Sequence, residues 1–258
     1  MALFGLVKGG KKGKAILHTG CLLGKYDNKE LRENYEEILD KLGIDFISPE
    51  KLGKPLICGS LALDLGYEKD FIKIARRNLK MLKTLGIKRI IAVCPECFKA
   101  LSQDYKEFIM DWNIEIEFAL EVILKRLRKK KLKEDNALSL TYHDPSYLGR
   151  YCGIYDTPRN ILHVLGHSLT ELKYSREDSF SSGSCGGLPE TNPELADEIA
   201  KERLRQARDS KVNILVTSGI RTSEHLKRNS SGFPEIRVFE ISELICHALG
   251  IKQIGARA

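Results

Sequence analysis

The sequence predicts an α/β protein: a tandem duplication of two Rossmann-like parallel-sheet α/β halves related by a pseudo-twofold. Three observations predict it. Short apolar runs alternate with amphipathic segments of helical period, as in sheets joined by helical crossovers. The same order of elements restarts near residue 136. Matched positions also lie 125 residues apart, pairing His18 with His143, Cys21 with Ser146, Cys94 with Gly219 and Cys97 with Thr222, while Cys58-Gly59 falls one residue off, on Ser182-Gly183, an offset of 124.

The elements follow in order. Residues 14–20 (KAILHTG) form a buried strand that ends at Cys21. Residues 28–43 place Leu31, Tyr35, Ile38 and Leu42 at helical spacing, with Gly43 as the stop. Residues 69–86 repeat the pattern with Phe71, Ala75, Leu79 and Leu82, ending at Gly86. A strand over 88–93 leads into Cys94-Pro95-Glu96-Cys97, and a helix follows Pro95. Another strand covers 114–118, and the next helix runs into a basic stretch. The second half repeats the plan: a strand in 136–146, a helix over 158–166, a helix over 192–208, a strand over 212–218 and a closing strand and helix in 234–250. Asn192 and Pro193 are the N-cap and first position of the third of these. The expected organisation is an N-terminal segment 1–13, a first domain 14–133 and a second domain 134–258.

Composition narrows the function class. The 258 residues are 42% hydrophobic and 30% charged, ordinary for a globular chain with a sizeable core. Net charge is +7, concentrated at Lys8, Lys11, Lys12 and Lys14 and in residues 124–133 (LKRLRKKKLK). No aromatic side chains interleave with these bases, so nucleic acid is not an expected partner. No apolar run approaches the roughly 20 residues of a membrane span. Residues 2–7 (ALFGLV) are too short for a signal-peptide core, and a cytoplasmic location is expected. Seven cysteines in that setting point to metal or redox chemistry rather than disulfides.

Four of them form the candidate site: Cys21, Cys58, Cys94 and Cys97. Each precedes a helix-like segment and follows a strand or loop. Strand ends converge at one edge of an open α/β sheet, so residues distant in sequence can meet there. Helix N-termini favour the negative charge of thiolates. Four thiolates complete a tetrahedral zinc site or hold a cubane iron–sulfur cluster. The bare Cys-x-x-Cys pair also suits a redox dithiol, and buried thiols that simply pack are common.

These residues and their flanks resemble the cysteine-rich, CCG-domain family. That family includes the cysteine-rich subunits of heterodisulfide reductases and the iron–sulfur subunits of glycolate oxidase and related enzymes. The likeness runs over about 14–250. Its members carry an early Cys, a Cys-Cys-Gly and a Cys-Pro-x-Cys, usually twice. The first copy here reads HTGC at Cys21, LICGS at Cys58 and CPEC at Cys94 and Cys97. The second reads YHDPSYLGRY, SSGSCGG and VTSGIRT at the matching places.

The resemblance implies an iron–sulfur electron-transfer subunit of a heterodisulfide reductase-like oxidoreductase complex, not active alone. Its partners would be other redox subunits, ferredoxin-like or flavin-bearing. Two departures shape the expectation. Ile57 replaces the first Cys of Cys-Cys-Gly, leaving four ligands, enough for an ordinary [4Fe-4S] cluster or Zn2+. In the second copy Ser146, Ser181, Ser182, Gly219 and Thr222 replace all five, so that site is expected to hold no metal. The alternative is a zinc-binding, noncatalytic assembly subunit. A weaker third reading gives the Ser/Thr-lined second pocket a small polar ligand. Of the remaining cysteines, Cys246 and Cys152 are expected to be structural, while Cys185 lies in a glycine-rich loop near the lost second site. His18 and His143 are expected to shape the strand-end turns by hydrogen bonding.

Overall fold

The structure is a computed structural model describing residues 15–20, 28–48, 56–130, 132 and 137–254. The first sheet is parallel, in the order β2-β1-β3-β4, with β1 Ala15–His18, β2 Phe46–Ile47, β3 Arg89–Ala92 and β4 Glu115–Phe118. The second repeats it as β6-β5-β7-β8, with β5 Ser139–His143, β6 Ser168–Glu171, β7 Ile214–Thr217 and β8 Arg237–Glu240. The duplication expected from the 125-residue spacing is therefore present as two similar halves.

The helices start and stop where local chemistry directs. α1, Lys29–Lys41, is capped by the Asn28 side chain, which accepts from the Leu31 N–H, and it buries Leu31, Tyr35, Ile38 and Leu39. A short α2, Ser60–Asp64, precedes α3, Glu68–Thr84, whose buried face is Phe71, Ala75, Asn78, Leu79 and Leu82. After β3, α4 covers Pro95–Lys99, runs through a π-helical turn at Ala100–Asp104 and ends as α5, Tyr105–Phe108. α6 is Ala119–Leu127. The second half has a π-helical turn at Tyr147–Tyr151, then α7 Asp156–Val164, α8 Leu188–Thr191 and α9 Pro193–Asp209. It closes with α10 Ile220–Arg228 and α11 Ile241–Ala248. The Asn192 side chain caps α9 as the sequence predicts, accepting from the Leu195 N–H at 3.1 Å. No helix among the described residues is long and apolar enough to cross a membrane.

The halves share one apolar core. Tyr35, Ile123, Leu140, Ile161 and Ile245 belong to the same buried cluster. α1 packs on α11, and α6 packs on α7, which are corresponding pairs in the duplicated plan. Cys246 is buried in the first of these seams, its thiol 3.8 Å from the Asn34 carbonyl, so the structural role expected for it holds.

A buried carboxyl also crosses the seam. Tyr35 Oη donates to Glu240 Oε1 at 2.8 Å, and the Ser242 N–H donates to Glu240 Oε2 at 2.8 Å. Burial pushes the Glu240 carboxyl up to about 7, against the pull of these donors. A folded-state value raised above the unfolded one means the folded chain binds more protons, so stability is lost as pH rises through about 7. Glu240→Gln is therefore expected to flatten the pH profile. Relative to the variant, wild type should lose on the order of 3 kcal/mol between about pH 4 and pH 8. Urea unfolding midpoints of both proteins across that range measure it.

Candidate metal centre

β1 carries the chain to His18, Thr19 and Gly20 at the C-terminal edge of the first sheet. β3 ends beside it, and Cys94 is the N-cap of α4, with Pro95 in the first turn. Proline suits that place because its missing N–H would have no helical partner there. Cys97 follows within the same short helix and is fully buried, as is Cys94. Cys58 reaches the same edge from the loop before α2 and is 6% exposed. Its Sγ lies 3.2 Å from Cys97 Sγ.

The loop holding Cys58 is fixed from behind. Tyr105 Oη donates to the Cys58 carbonyl at 3.0 Å. Asn78 Nδ2 donates to Tyr105 Oη at 2.8 Å and to the Ile57 carbonyl at 2.7 Å. Burial, then the neighbouring Cys58, pushes the Tyr105 hydroxyl far above its ordinary range, so it remains a donor. Gly59 then turns the chain at φ +78°, and Gly183 has the same φ of +78°, matching their paired places in the two halves.

His18 joins the thiols. Its ligand atom and the Sγ atoms of Cys58 and Cys97 all lie within 4.8 Å of one another. His18 is 1% exposed, and its Nε2 has no hydrogen-bond partner among the described residues. The expectation that His18 acts by shaping its turn through hydrogen bonds misses this orientation toward the thiols. Gly20 completes the cradle: at φ +47°, a Cβ there would collide with Cys97 Sγ. Gly20→Ala is expected to cost at least about 1–2 kcal/mol from the left-handed backbone alone. It should also lower metal content, because the added methyl occupies the space beside Cys97 Sγ. Unfolding midpoints and metal analysis of the variant check both.

Two further thiol contacts meet at Glu96, and one of them crosses between the halves. Glu96 is 2% exposed, and the Cys94 thiol donates to its Oε2 at 2.9 Å. The Cys185 thiol of the second half approaches Oε1 of the same carboxylate at 3.6 Å. Burial, then Glu96, pushes the Cys185 thiol well up, which keeps it protonated. Of the predicted ligands, then, Cys58 and Cys97 meet and Cys94 lies on the same helix, while Cys21 lies outside the described residues. Glu96 and Cys185 were not singled out as partners by their spacing; only their placement in CPEC and SGSCGG hinted at it.

The corresponding edge of the second half is a hydroxyl network. Ser184 Oγ lies 2.9 Å from Ser182 Oγ and 3.1 Å from Thr222 Oγ1. His143 takes the hydrogen-bonding role expected of it, its Nδ1 accepting from Arg203 Nε at 2.9 Å. Burial first, then the Arg203 charge, holds the His143 imidazole well below its usual range and therefore neutral. Hard hydroxyls bonded to one another offer a soft metal little.

Buried thiols at a helix N-terminus, an imidazole nitrogen aimed among them and a side-chain-free cradle at Gly20 fit a soft metal group.

Comparison with known proteins agrees. The cysteine-rich domain (CCG) profile matches residues 15–102 and 140–220, once in each half. EtfAB:quinone oxidoreductase of Syntrophomonas wolfei is 28% identical over 265 residues, covering 95% of this chain and 35% of that protein. A subunit of the dihydromethanophenazine:CoB–CoM heterodisulfide reductase of Methanosarcina acetivorans is 28% identical over 254 residues, covering 95% of this chain and 61% of that one. A probable iron–sulfur-binding oxidoreductase, FadF of Bacillus subtilis, is 30% identical over 206 residues, covering 78% of this chain and 28% of its own. This chain thus spans between about a quarter and three fifths of these curated relatives. With both halves matched and the cysteine-bearing edge in place, the chain belongs to the cysteine-rich domain (CCG) family.

Proposed function

We propose that the chain is an iron–sulfur electron-transfer subunit of a heterodisulfide reductase-like oxidoreductase complex. One [4Fe-4S] cluster would be held in the first half by Cys21, Cys58, Cys94 and Cys97. The observation that carries this reading is the buried meeting of Cys58 and Cys97, 3.2 Å apart, beside Gly20 and at the start of the helix that bears Cys94. The names of the relatives, all three oxidoreductases or reductase subunits and one of them iron–sulfur-binding, support iron over zinc.

When bound, the cluster supplies one-electron redox chemistry at fixed geometry. The protein's own residues set its surroundings. Tyr105 and Asn78 hold the Cys58 loop rigid. Glu96 stands beside Cys94, where the charge and hydrogen bonding of its carboxyl would tune the potential of a cluster held by Cys94. A single site passes single electrons, so the chain relays them between partner subunits, ferredoxin-like or flavin-bearing, and does not complete a two-electron reduction alone. In the second half, hydroxyls replace the soft donors and leave that site without metal.

The test is optical. Anaerobically purified protein is expected to show a broad visible band that bleaches on reduction and returns on oxidation. A colourless protein, or a band indifferent to reductant, would contradict electron transfer.

A further inference from the structure

The two halves differ in charge. Residues 1–133 carry 27 Lys and Arg against 18 Asp and Glu, whereas residues 134–258 carry 15 against 17. A net +4 of it lies on one helix, α3. Its outward bases are Lys69, Lys73, Arg76, Arg77, Lys80 and Lys83, all exposed and spaced to share one face, with the exposed acids Glu68 and Asp70 confined to the first turn. Lys83 pairs with Asp111 at 2.5 Å; the other five form no ion pair among the described residues. Such a stripe of like charges repels itself and weakens the helix unless something opposes it.

The inward face of the same helix holds the metal-site loop. Asn78 donates to the Ile57 carbonyl, and Gly59 packs on Phe71 and Ile74. Ile57, standing where the family has a cysteine, is 49% exposed although Cys58 beside it is buried. An exposed apolar side chain tethered by Asn78 to a helix with a cationic outer face combines the two elements of a docking patch, an apolar point and surrounding charge. The other basic concentration, at the end of α6, does not back onto the cysteines. Its helix packs against α7 instead.

We propose that the outward face of α3, with Ile57 at its edge, docks an acidic electron-transfer protein and so sets the entry point for electrons. This rests on the electron-transfer reading and adds the surface and the charge of the partner. Complementary charge accelerates encounter and makes it salt-dependent. It also brings the partner's surface to within one helix diameter, about 10 Å, of the Cys58 loop. No aromatic side chain interleaves with the α3 cations, which argues against single-stranded nucleic acid as the occupant.

The probe is an acidic plant-type [2Fe-2S] ferredoxin, with binding to the intact, cluster-loaded chain followed by calorimetry at low and high salt. Wild type is expected to bind, more weakly as salt rises. The charge-reversal variant Lys73→Glu/Arg77→Glu/Lys80→Glu should lose at least tenfold in affinity and most of its salt dependence, with iron content unchanged. The matched reversal Lys125→Glu/Arg128→Glu/Lys129→Glu at the C-terminal end of α6 and just beyond it should change affinity less than twofold. Should the α3 reversal misfold, the single neutralisations Arg77→Gln and Lys80→Gln should each cost two- to fivefold. Wild type that fails to bind the probe, or an α6 variant that loses as much as the α3 variant, overturns the proposal. So does binding to phosphatidylserine vesicles through α3 without binding to ferredoxin. A chain that binds ferredoxin through α3 yet holds no iron supports the docking face and overturns only the electron-transfer reading.

Discussion

Cys97→Ser is expected to abolish metal binding, taking iron and sulfide from about four each per chain to background. The change is nearly isosteric, and Cys97 is fully buried, so the loss follows from chemistry rather than from shape. A serine hydroxyl is a hard and weak ligand for iron in a sulfide cluster. In the second half, Ser182 and Thr222, at places matched to Cys58 and Cys97, each bond the Ser184 hydroxyl. The variant should keep its fold, because its neighbours Cys58 and Gly20 are held by α3, Tyr105 and β1 rather than by Cys97. Circular dichroism should therefore match wild type after apo-protein preparation. Cys246→Ser, in the seam between α1 and α11, should retain full iron. Should Cys185→Ser empty the site while Cys97→Ser does not, the site assignment is wrong.

Asp144→Ala is expected to give the largest loss of stability, about 3 kcal/mol or more, as when one partner of a buried ion pair is removed. Asp144 is 3% exposed and grips Arg159 with both oxygens, at 2.6 and 2.9 Å. Its Oδ2 also accepts the Arg176 N–H at 2.8 Å, and its carbonyl accepts from Ser179. One side chain thus ties the end of β5 to α7 and to the loop after β6. Glu171 also holds Arg159, at 2.6 and 2.8 Å, which keeps the cost at the lower end for a buried pair. Its side chain is 39% exposed, so Glu171→Gln should cost only about 1 kcal/mol by comparison. Urea unfolding of the two variants beside wild type measures the difference.

Much of this was legible in the sequence for definite reasons. The 125-residue spacing and the strand–helix alternation predict two parallel α/β halves, because each matched position has the same neighbours in the fold. Helices with strong periodicity and end signals, such as α1 and α9, begin and end within two residues of their predicted limits. β2 is only Phe46–Ile47 and owes its existence to pairing with β1, so no local pattern announces it. α10 escapes a periodicity reading because its buried face includes Arg221, Thr222, Ser223 and His225. The π-helical turns at Ala100–Asp104 and Tyr147–Tyr151 break the regular period on which such readings depend.

The site divides in the same way. That Cys58 and Cys97 meet follows from strand ends converging at one sheet edge. That His18 faces them while His143 turns to Arg203 does not, since both sit at the end of an equivalent strand. Arg203, a fully buried cation on α9, bonds His143 Nδ1, while the Nε2 atoms of both histidines are buried without a partner among the described residues. The approach of Cys185 to Glu96 likewise depends on how one half packs on the other, which no local stretch encodes.

The central claim is one iron–sulfur cluster, in the first half alone. Iron, acid-labile sulfide and zinc measured together on anaerobically purified wild-type protein test it most directly. About four iron and four sulfide per chain are expected, with negligible zinc. One zinc per chain without sulfide would contradict the cluster, and about eight iron per chain would contradict the loss of the second site.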